Sequence, residues 1–497
     1  MTSAQIAIMT TIILYLCLVI FTGVMIGKRS KKSAEGFYLG GRGMGPLVTA
    51  MSAEASDMSS YLLMGIPGLA YLSGVADASW TAIGLAIGTY LNFLLVARRL
   101  RRYSVELDAI TIPSFISKRY GEKKPIIMGI ASLIILVFFV PYVASGLAAI
   151  GKLFNSLFGW NYMLSVIVGA IVIISYTSVG GFSAVATMDL IQSVIMTVAL
   201  CVIVVFGIVQ AGGMDAVLAH ASSLPGFLSF GQTYNAASGQ AEPYGLIRIV
   251  SMLAWGLGYF GMPHIIIRFM SLKSEKELRK SSVIGISWTT IILIMSALTA
   301  VAGRLYLGEI DDPSTVFITM VRRIFPALVS GLLLSAILSA AMSTADSQLL
   351  AASSAFASDV YKPVIRKKAS DSEMLWAGRI VVIVIAVVAL MIASDPNSGS
   401  IMGLVENAWG VFGAAFGPVI LLSLFWKRLT FGGTVAGIAA GAAVDILWLV
   451  FLSSTDIYEI VPGFAAGLLA AVVVSLLSKG PGKDVEDLFD RAVDLKS

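Results

Sequence analysis

Met51-Ser52-Ala53-Glu54-Ala55-Ser56-Asp57-Met58-Ser59-Ser60-Tyr61 lies inside a long apolar segment. A carboxylate at membrane depth is expensive, and such groups usually face a bundle interior or a wet cavity and mark an ion path. Small and hydroxyl-bearing residues crowd round Asp57 and offer oxygen ligands, so the stretch reads as a broken helix built around a small cation. Outward from it, the chain is 57% hydrophobic and 13% charged over 497 residues. Apolar runs of about 20 residues recur throughout, the length that spans a hydrocarbon core of about 30 Å. Open sheets cannot span lipid and barrel strands are only about 10 residues long, so the expected class is an all-α polytopic protein embedded in a lipid bilayer.

Thirteen runs are expected, near 5–27, 47–74, 78–97, 127–153, 161–180, 187–211, 245–270, 281–303, 325–357, 374–393, 400–425, 431–452 and 457–478. The first is too long for a signal-peptide core and is expected to stay as a spanning helix. An odd count places the termini on opposite sides. Lys28, Arg29, Lys31 and Lys32, then Arg98, Arg99, Arg101, Arg102, Lys118, Arg119, Lys123 and Lys124, then Lys273, Lys276, Arg279 and Lys280, then Lys362, Arg366, Lys367 and Lys368, then Lys427 and Arg428 fall in alternate loops. The positive-inside rule makes those loops cytoplasmic. The other loops, including 212–244 and the one holding Glu309, Asp311 and Asp312, read as almost free of positive charge, which puts the N-terminus outside and the C-terminus in the cytoplasm. The net charge of +5 then reports topology rather than a nucleic-acid-binding face. The tail from Lys479 carries Val485, Leu488, Phe489 and Ala492 at helical spacing, a short amphipathic helix. Cys17 and Cys201 are expected to act as small buried hydrophobes.

A second interruption reads Ala254-Trp255-Gly256-Leu257-Gly258-Tyr259-Phe260-Gly261-Met262-Pro263-His264. Three glycines and a proline lower helix stability and free backbone carbonyls, which at membrane depth are tolerated only where they line a protein cavity. The two broken segments lie five segments apart, so the second copy runs in the opposite direction. That is the pattern of an inverted repeat, whose paired interruptions point to a transporter binding site.

Asp57 reads as a cation ligand or cation-linked switch in preference to a purely structural half-helix cap, and the two roles are compatible. Ser343 and Thr344, in Ser339-Ala340-Ala341-Met342-Ser343-Thr344-Ala345-Asp346-Ser347-Gln348, can offer hydroxyls to sodium or bond back to their own helix. Asp189 and Asp346 fit an ion path or cytosol-facing water, and Glu54 and Asp445 are further intramembrane acids. Tyr142, Trp255 and Tyr259 suit an aromatic wall round a small apolar ring, or ordinary packing. His264 reads as a helix-end residue. With His220 and His264 as its two histidines, the chain offers no nucleophile–base or metal constellation, so a transporter is expected rather than an enzyme. No obligate protein partner is evident.

Four motifs carry a resemblance. Tyr38-Leu39-Gly40-Gly41-Arg42, the run from Ser52 to Ser59, Trp255 to His264, and Leu334 to Thr344 are similar to the sodium/solute symporter family, nearest its bacterial proline-carrying branch. The similarity extends through Asn407-Ala408-Trp409-Gly410, Phe412 to Pro418, and Tyr458 to Phe464. The resemblance implies a leucine-transporter-type five-plus-five inverted repeat with one helix before it and two after. Its layout is 1–46 for the extra N-terminal helix and cytoplasmic loop, 47–212 for the first repeat, 213–244 for an external loop, 245–428 for the second repeat, 429–478 for two C-terminal helices and 479–497 for a cytoplasmic tail. It further implies sodium bound by backbone oxygens of Ala55, Met58 and Ala340 and hydroxyls of Ser343 and Thr344, with Asp57 coupling sodium to transport. Substrate contacts are implied at Tyr142, Trp255, Tyr259 and Pro263, and a cytoplasmic gating or coupling role at Arg42. A second cation site or an exit path is implied around Asp189, with Asp346 and Ser347 one turn beyond the Ser343 hydroxyl. The expected activity is sodium-coupled symport of L-proline, or of another amino acid, pantothenate or a sugar acid, in the bacterial inner membrane.

Overall fold

The computed structural model describes residues 1–27, 33–122, 124–395 and 400–493. Lys28, Arg29, Lys31, Lys32 and Lys123 of the expected cytoplasmic set lie outside the described residues. Apolar runs in lipid must satisfy their backbone internally, and here they do so as helices. These are α1 (Ser3–Gly27), the broken pair α2 (Pro46–Asp57) and α3 (Gly65–Ser73), α4 (Val75–Glu106), α5 (Ile126–Phe158), α6 (Tyr162–Ser175) and α7 (Gly180–Gln210). The bent pair α8 (Leu246–Phe260) and α9 (Pro263–Ser271) follows, then α10 (Leu278–Leu307), α11 (Ala327–Ile365), α12 (Asp371–Ala393), α13 (Ile401–Phe425), α14 (Phe431–Phe451), α15 (Ile460–Leu477) and the tail helix α16 (Lys483–Val493). Among the described residues, ten helices are long and apolar enough to cross a membrane, or up to eleven with α8 and α9 as one span. The remaining two expected runs are the broken α2–α3 and the shorter α6.

Several boundaries differ from the hydropathy reading. The runs at 161–180 and 187–211 are two helices, α6 and α7, the second beginning earlier than expected, with a kink at Gly181, whose φ of 64° and ψ of −179° only glycine adopts readily. The end of α11 continues past 357 as a π-helical stretch carrying Pro363. The loop at 213–244 folds on itself as a helix, Met214–Ser223, and a hairpin pairing Gln232–Asn235 with Gln240–Pro243. Cys17 is exposed rather than buried, on the outward apolar face of α1 that also bears Leu14 and Phe21.

The acidic-loop side carries more positive charge than expected, and three of its cations have partners. Lys152 meets Asp312 at 3.0 Å, Arg248 meets Asp77 at 3.0 Å, and Arg322 donates to the Ser156 carbonyl at 2.8 Å. Outside the spans, burial alone would push the Asp312 carboxyl up, yet hydrogen bonds from Ser314 and Lys152 hold it below the usual carboxylate range.

Both interruptions are present, for different local reasons. Helix α2 ends at Asp57, Met58 leaves helical space (φ −70°, ψ 74°), and a single 3-10 turn over Ser60–Leu62 leads to α3. At the second, Gly256 and Gly258 sit within a 3-10 stretch, Ala254–Phe260, and do not break the chain. They permit close approach: a Cβ on Gly256 would lie 2.4 Å from the Gly84 carbonyl, and one on Gly258 1.9 Å from Trp409 Nε1. The break falls at Gly261–Met262, and Pro263 opens α9 with a bend of 43°, where its missing N–H is lost without penalty. Helices α11 and α13 are the most enclosed, with 78% and 83% of their apolar windows buried, so groups on them face protein rather than lipid.

Candidate ion and solute site

The end of α2 meets the middle of α11. Ser343 Oγ donates to the Ala55 carbonyl at 2.8 Å and lies 3.3 Å from the Ala340 carbonyl. Thr344 Oγ1, one residue on, is buried without a hydrogen-bond partner. Three of the five expected ligand residues, Ala55, Ala340 and Ser343, therefore meet at one joint, while Thr344 follows Ser343 on α11 and Met58 follows at the helix cap. Carbonyl and hydroxyl oxygens are the donor set of a hard monovalent cation, and the orphaned Thr344 hydroxyl fits a ligand still to be satisfied.

Asp57 joins this region to the second break. Its Oδ2 accepts a close hydrogen bond from the Tyr259 hydroxyl, and its backbone carbonyl accepts from Tyr142 at 3.3 Å. Oδ1 has no hydrogen-bond partner, while the neighbouring Tyr61 hydroxyl is 3.2 Å from the Met58 sulfur. One residue thus ties both interruptions and α5 together, its carboxylate reaching the second break and its backbone carbonyl reaching α5.

The aromatic groups form a chain. Trp255 lies 6.2 Å from Tyr61, 5.5 Å from Tyr458 and 6.1 Å from Trp409, and Tyr259 meets Trp409 edge-on at 5.3 Å, all between ring centroids. Trp409 Nε1 donates to the Trp255 carbonyl at 2.7 Å, whereas Trp255 Nε1 is buried without a partner. Pro263 and His264 follow at the start of α9, with the His264 ring against Phe139 and Tyr142 at 5.4 and 6.1 Å. Tyr142, Trp255 and Tyr259 are each no more than 1% exposed, so the wall is closed to both sides. Tyr61, Trp409 and Tyr458 extend it, although sequence spacing did not single them out for this wall.

Arg42 stands at the opposite end of α2, with φ 52° in the left-handed region. Its guanidinium donates to Ser104 Oγ at 3.2 Å, the Met270 carbonyl at 3.0 Å, the Ser104 carbonyl at 3.2 Å and the Ala109 carbonyl at 2.7 Å. It clamps the ends of α4 and α9.

Asp189, Asp346 and Ser347 are enclosed, at 0%, 0% and 1% exposure, so the expectation of cytosol-facing water does not describe them. Asp189 Oδ2 accepts from Ser52 Oγ at 2.6 Å and from Arg268 at 3.3 Å. Arg268 also donates to Ser52 Oγ at 3.0 Å and makes close bonds to Ser347 Oγ and the His264 carbonyl. Sequence reading missed Arg268, although a charge inside an apolar run is the signal that drew attention to Asp57. Glu54, next to Ala55, accepts at Oε2 from Thr289 at 2.7 Å and Thr89 at 3.4 Å, which packs α2 against α10 and α4.

With this geometry in view, the comparisons with known proteins are specific. Residues 37–441 match the sodium:solute symporter family. The high-affinity proline transporter PutP of Bacillus subtilis is 41% identical over 480 residues, covering 96% of this chain and 99% of the relative. A sodium/proline symporter of Haemophilus influenzae is 43% identical over 472 residues, covering 92% of each. Among solved structures, a substrate-bound, outward-open Na+-coupled sialic acid symporter superposes with a TM-score of 0.77 at 19% identity, covering 95% of this chain and 98% of its own, which shows a shared fold. Family match and near-full-length identity agree: the chain belongs to the sodium:solute symporter family.

Proposed function

We propose that this protein is a secondary active transporter that couples sodium entry to the uptake of L-proline by alternating access. The observation that carries the reading is the Tyr259–Asp57 hydrogen bond, which links an oxygen-lined joint on one break to an aromatic wall on the other. The proline and sodium/proline transporters at 41% and 43% identity support the choice of ion and solute. In this reading the chain lies in a bacterial inner membrane with thirteen spans, the N-terminus outside and the C-terminus cytoplasmic, α2–α3 and α6 counting as spans. Residues 47–212 and 245–428 are the two inverted repeats.

Sodium is held by Ala55, Met58, Ala340, Ser343 and Thr344. It would replace the direct Ser343–Ala55 bond with an ionic bridge between α2 and α11, and Asp57 supplies nearby negative charge. Tyr142, Trp255, Tyr259 and Pro263 surround the pyrrolidine ring, while exposed backbone N–H groups at the α9 end receive the carboxylate. Both ligands together favour closure, because each binds the joined state better than the separated one. Arg42 locks the cytoplasmic end until α9 and α4 part. At 100 mV one sodium supplies about 2.3 kcal/mol from the field, and a tenfold sodium gradient about 1.4 kcal/mol more, enough for a solute ratio of a few hundred. Asp189, Asp346 and Ser347 lie along the ion's exit. Uptake of a radiolabelled amino-acid panel into proteoliposomes, with and without a sodium gradient, tests this: proline should accumulate only with sodium, and a sugar acid or pantothenate accumulating in its place would reassign the substrate.

A further inference from the structure

Two helix ridges frame a groove on the flank of the bundle. On α4, Tyr90, Leu94 and Arg98 recur at four-residue spacing, as do Leu278, Ser282 and Ile286 on α10, and both rows line one cavity of about 350 Å³. Leu94 is 58% exposed and Tyr90 50%, so in a bilayer this groove faces acyl chains. It shares Arg98, Leu278 and Arg279 with a larger cavity of about 680 Å³, whose other cations are Arg101, Arg102, Lys273 and Lys276. Six cations there meet two acids, Glu106 and Glu275. Glu275 is already engaged, by Arg102 at 2.9 Å and Arg98 at 3.3 Å, and Arg101 is turned to the backbone, donating to the Leu272 carbonyl at 2.6 Å. Among the described residues, Lys273, Lys276 and Arg279 have no ion-pair partner. The positive-inside rule accounts for basic residues on this side of the membrane, but not for a basic hollow continuous with an apolar groove. That shape complements a molecule with an anionic head and a hydrocarbon tail. Guanidinium groups suit phosphate oxygens, and basic clusters beside a span attract anionic lipid.

We propose that the two cavities together form a binding site for one anionic phospholipid, its phosphate held among Lys273, Lys276 and Arg279 with Arg98 at the rim, and an acyl chain laid between the ridges of α4 and α10. The inference goes beyond the transport reading and uses from it only the placement in a bilayer. The position gives the lipid a mechanical role. Arg101 holds the Leu272 carbonyl and Arg42 the Met270 carbonyl at 3.0 Å, so the lipid site and the Arg42 clamp share the stretch of chain that leaves α9. A lipid spanning α4 and α10 braces that stretch in its clamped arrangement.

The test titrates fluorescent phosphatidylglycerol into the purified full-length protein in detergent, with unlabelled phosphatidylglycerol, phosphatidylcholine and inorganic phosphate as competitors. Binding should saturate at one lipid per chain, and unlabelled phosphatidylglycerol should displace it where phosphatidylcholine and inorganic phosphate do not. Lys273→Gln/Lys276→Gln/Arg279→Gln should weaken binding by about tenfold or more. Lys362→Gln/Arg366→Gln/Lys367→Gln, which removes the same charge from another basic segment of the expected cytoplasmic set, should leave it unchanged. Ser282→Trp keeps every charge and fills the groove, so it too should weaken binding by about tenfold or more. Melting temperatures without lipid check that each variant is folded, and phosphatidylglycerol should raise that of the unaltered protein but not that of the first triple variant. Equal weakening by the two triple variants would reduce the effect to surface charge. Displacement by inorganic phosphate would reduce it to a free-anion pocket, and full binding by Ser282→Trp would remove the acyl chain from the groove; each of these overturns the inference. Binding is read without transport, so the result stands apart from the transport reading.

Discussion

Tyr259→Phe removes one atom from the contact between the two breaks. The hydroxyl donates to Asp57 Oδ2, and Oδ1 has no partner, so the variant takes from this buried carboxylate its bond across the two breaks. A hydrogen bond to a charged group contributes about 1.5–3 kcal/mol, which is roughly a 10- to 150-fold change in a binding constant. The ring remains, with its edge-on packing on Trp409 at 5.3 Å, so the fold should be little affected. If Asp57 links ion and solute, the loss appears in both. The sodium concentration for half-maximal uptake and the proline KM should each rise by about tenfold or more, because linkage between two ligands is reciprocal. Initial uptake rates in proteoliposomes across a sodium–proline grid measure both at once. In the background of Asp57→Asn the Phe substitution should add almost nothing, since contacting residues are not additive. Unchanged half-saturation for both ligands in Tyr259→Phe would refute the link between the two breaks.

Asp57→Ala should abolish sodium-driven proline uptake while leaving the protein in the membrane, and normal sodium-dependent uptake by this variant would contradict the ion assignment. Ser343→Ala combined with Thr344→Ala removes two oxygens from the joint and should raise the half-maximal sodium concentration by about tenfold or more; an unaltered sodium curve would show that these hydroxyls serve only their helix. Gly258→Ala forces a methyl group against the Trp409 indole, an overpacking of about 1–3 kcal/mol, and should weaken proline uptake more than sodium binding, as isotopic binding of each ligand would reveal. Asp312, held below the usual carboxylate range, stabilises the fold above the ordinary carboxylate pKa of about 4 and loses that effect as pH falls through its own lower value. Asp312→Asn should therefore lower the melting temperature slightly at pH 7, by the equivalent of under about 1 kcal/mol for a partly exposed pair, with a gap that closes in acid; a gap that widens in acid would contradict the assignment.

Much of the fold was legible because lipid enforces a simple rule: long apolar runs become helices. Ranges such as 374–393 and 400–425 correspond closely to α12 and α13. The breaks were legible through residue chemistry, Asp57 by its charge and Pro263 by its ring. The role of Gly256 and Gly258 was not, because close approach depends on which helix lies opposite, and Gly84 and Trp409 are far away in sequence. Arg268 escaped for another reason. Hydropathy averages over a window, and one arginine among Ile265, Ile266, Ile267 and Phe269 barely lowers the mean. The chemistry of its partners, on three other helices, appears only once the bundle is assembled.

The glycine crossing between α4 and α8 decides which parts of the molecule travel together. Gly84 meets the Leu253 backbone and Gly88 the Gly256 backbone directly, with the Tyr259 ring beside Gly88. Such a seam has no rotamers through which to shear, so sliding requires the helices to lift apart. Helices α4 and α8 should then swing as a single lever. The Ser343–Ala55 joint is held by a hydroxyl on a carbonyl, which can open and reclose without disturbing either helix. Motion is thereby directed to the proposed ion joint, and the seam beside the aromatic wall would keep the proposed solute walls in register while the rest of the bundle turns about it.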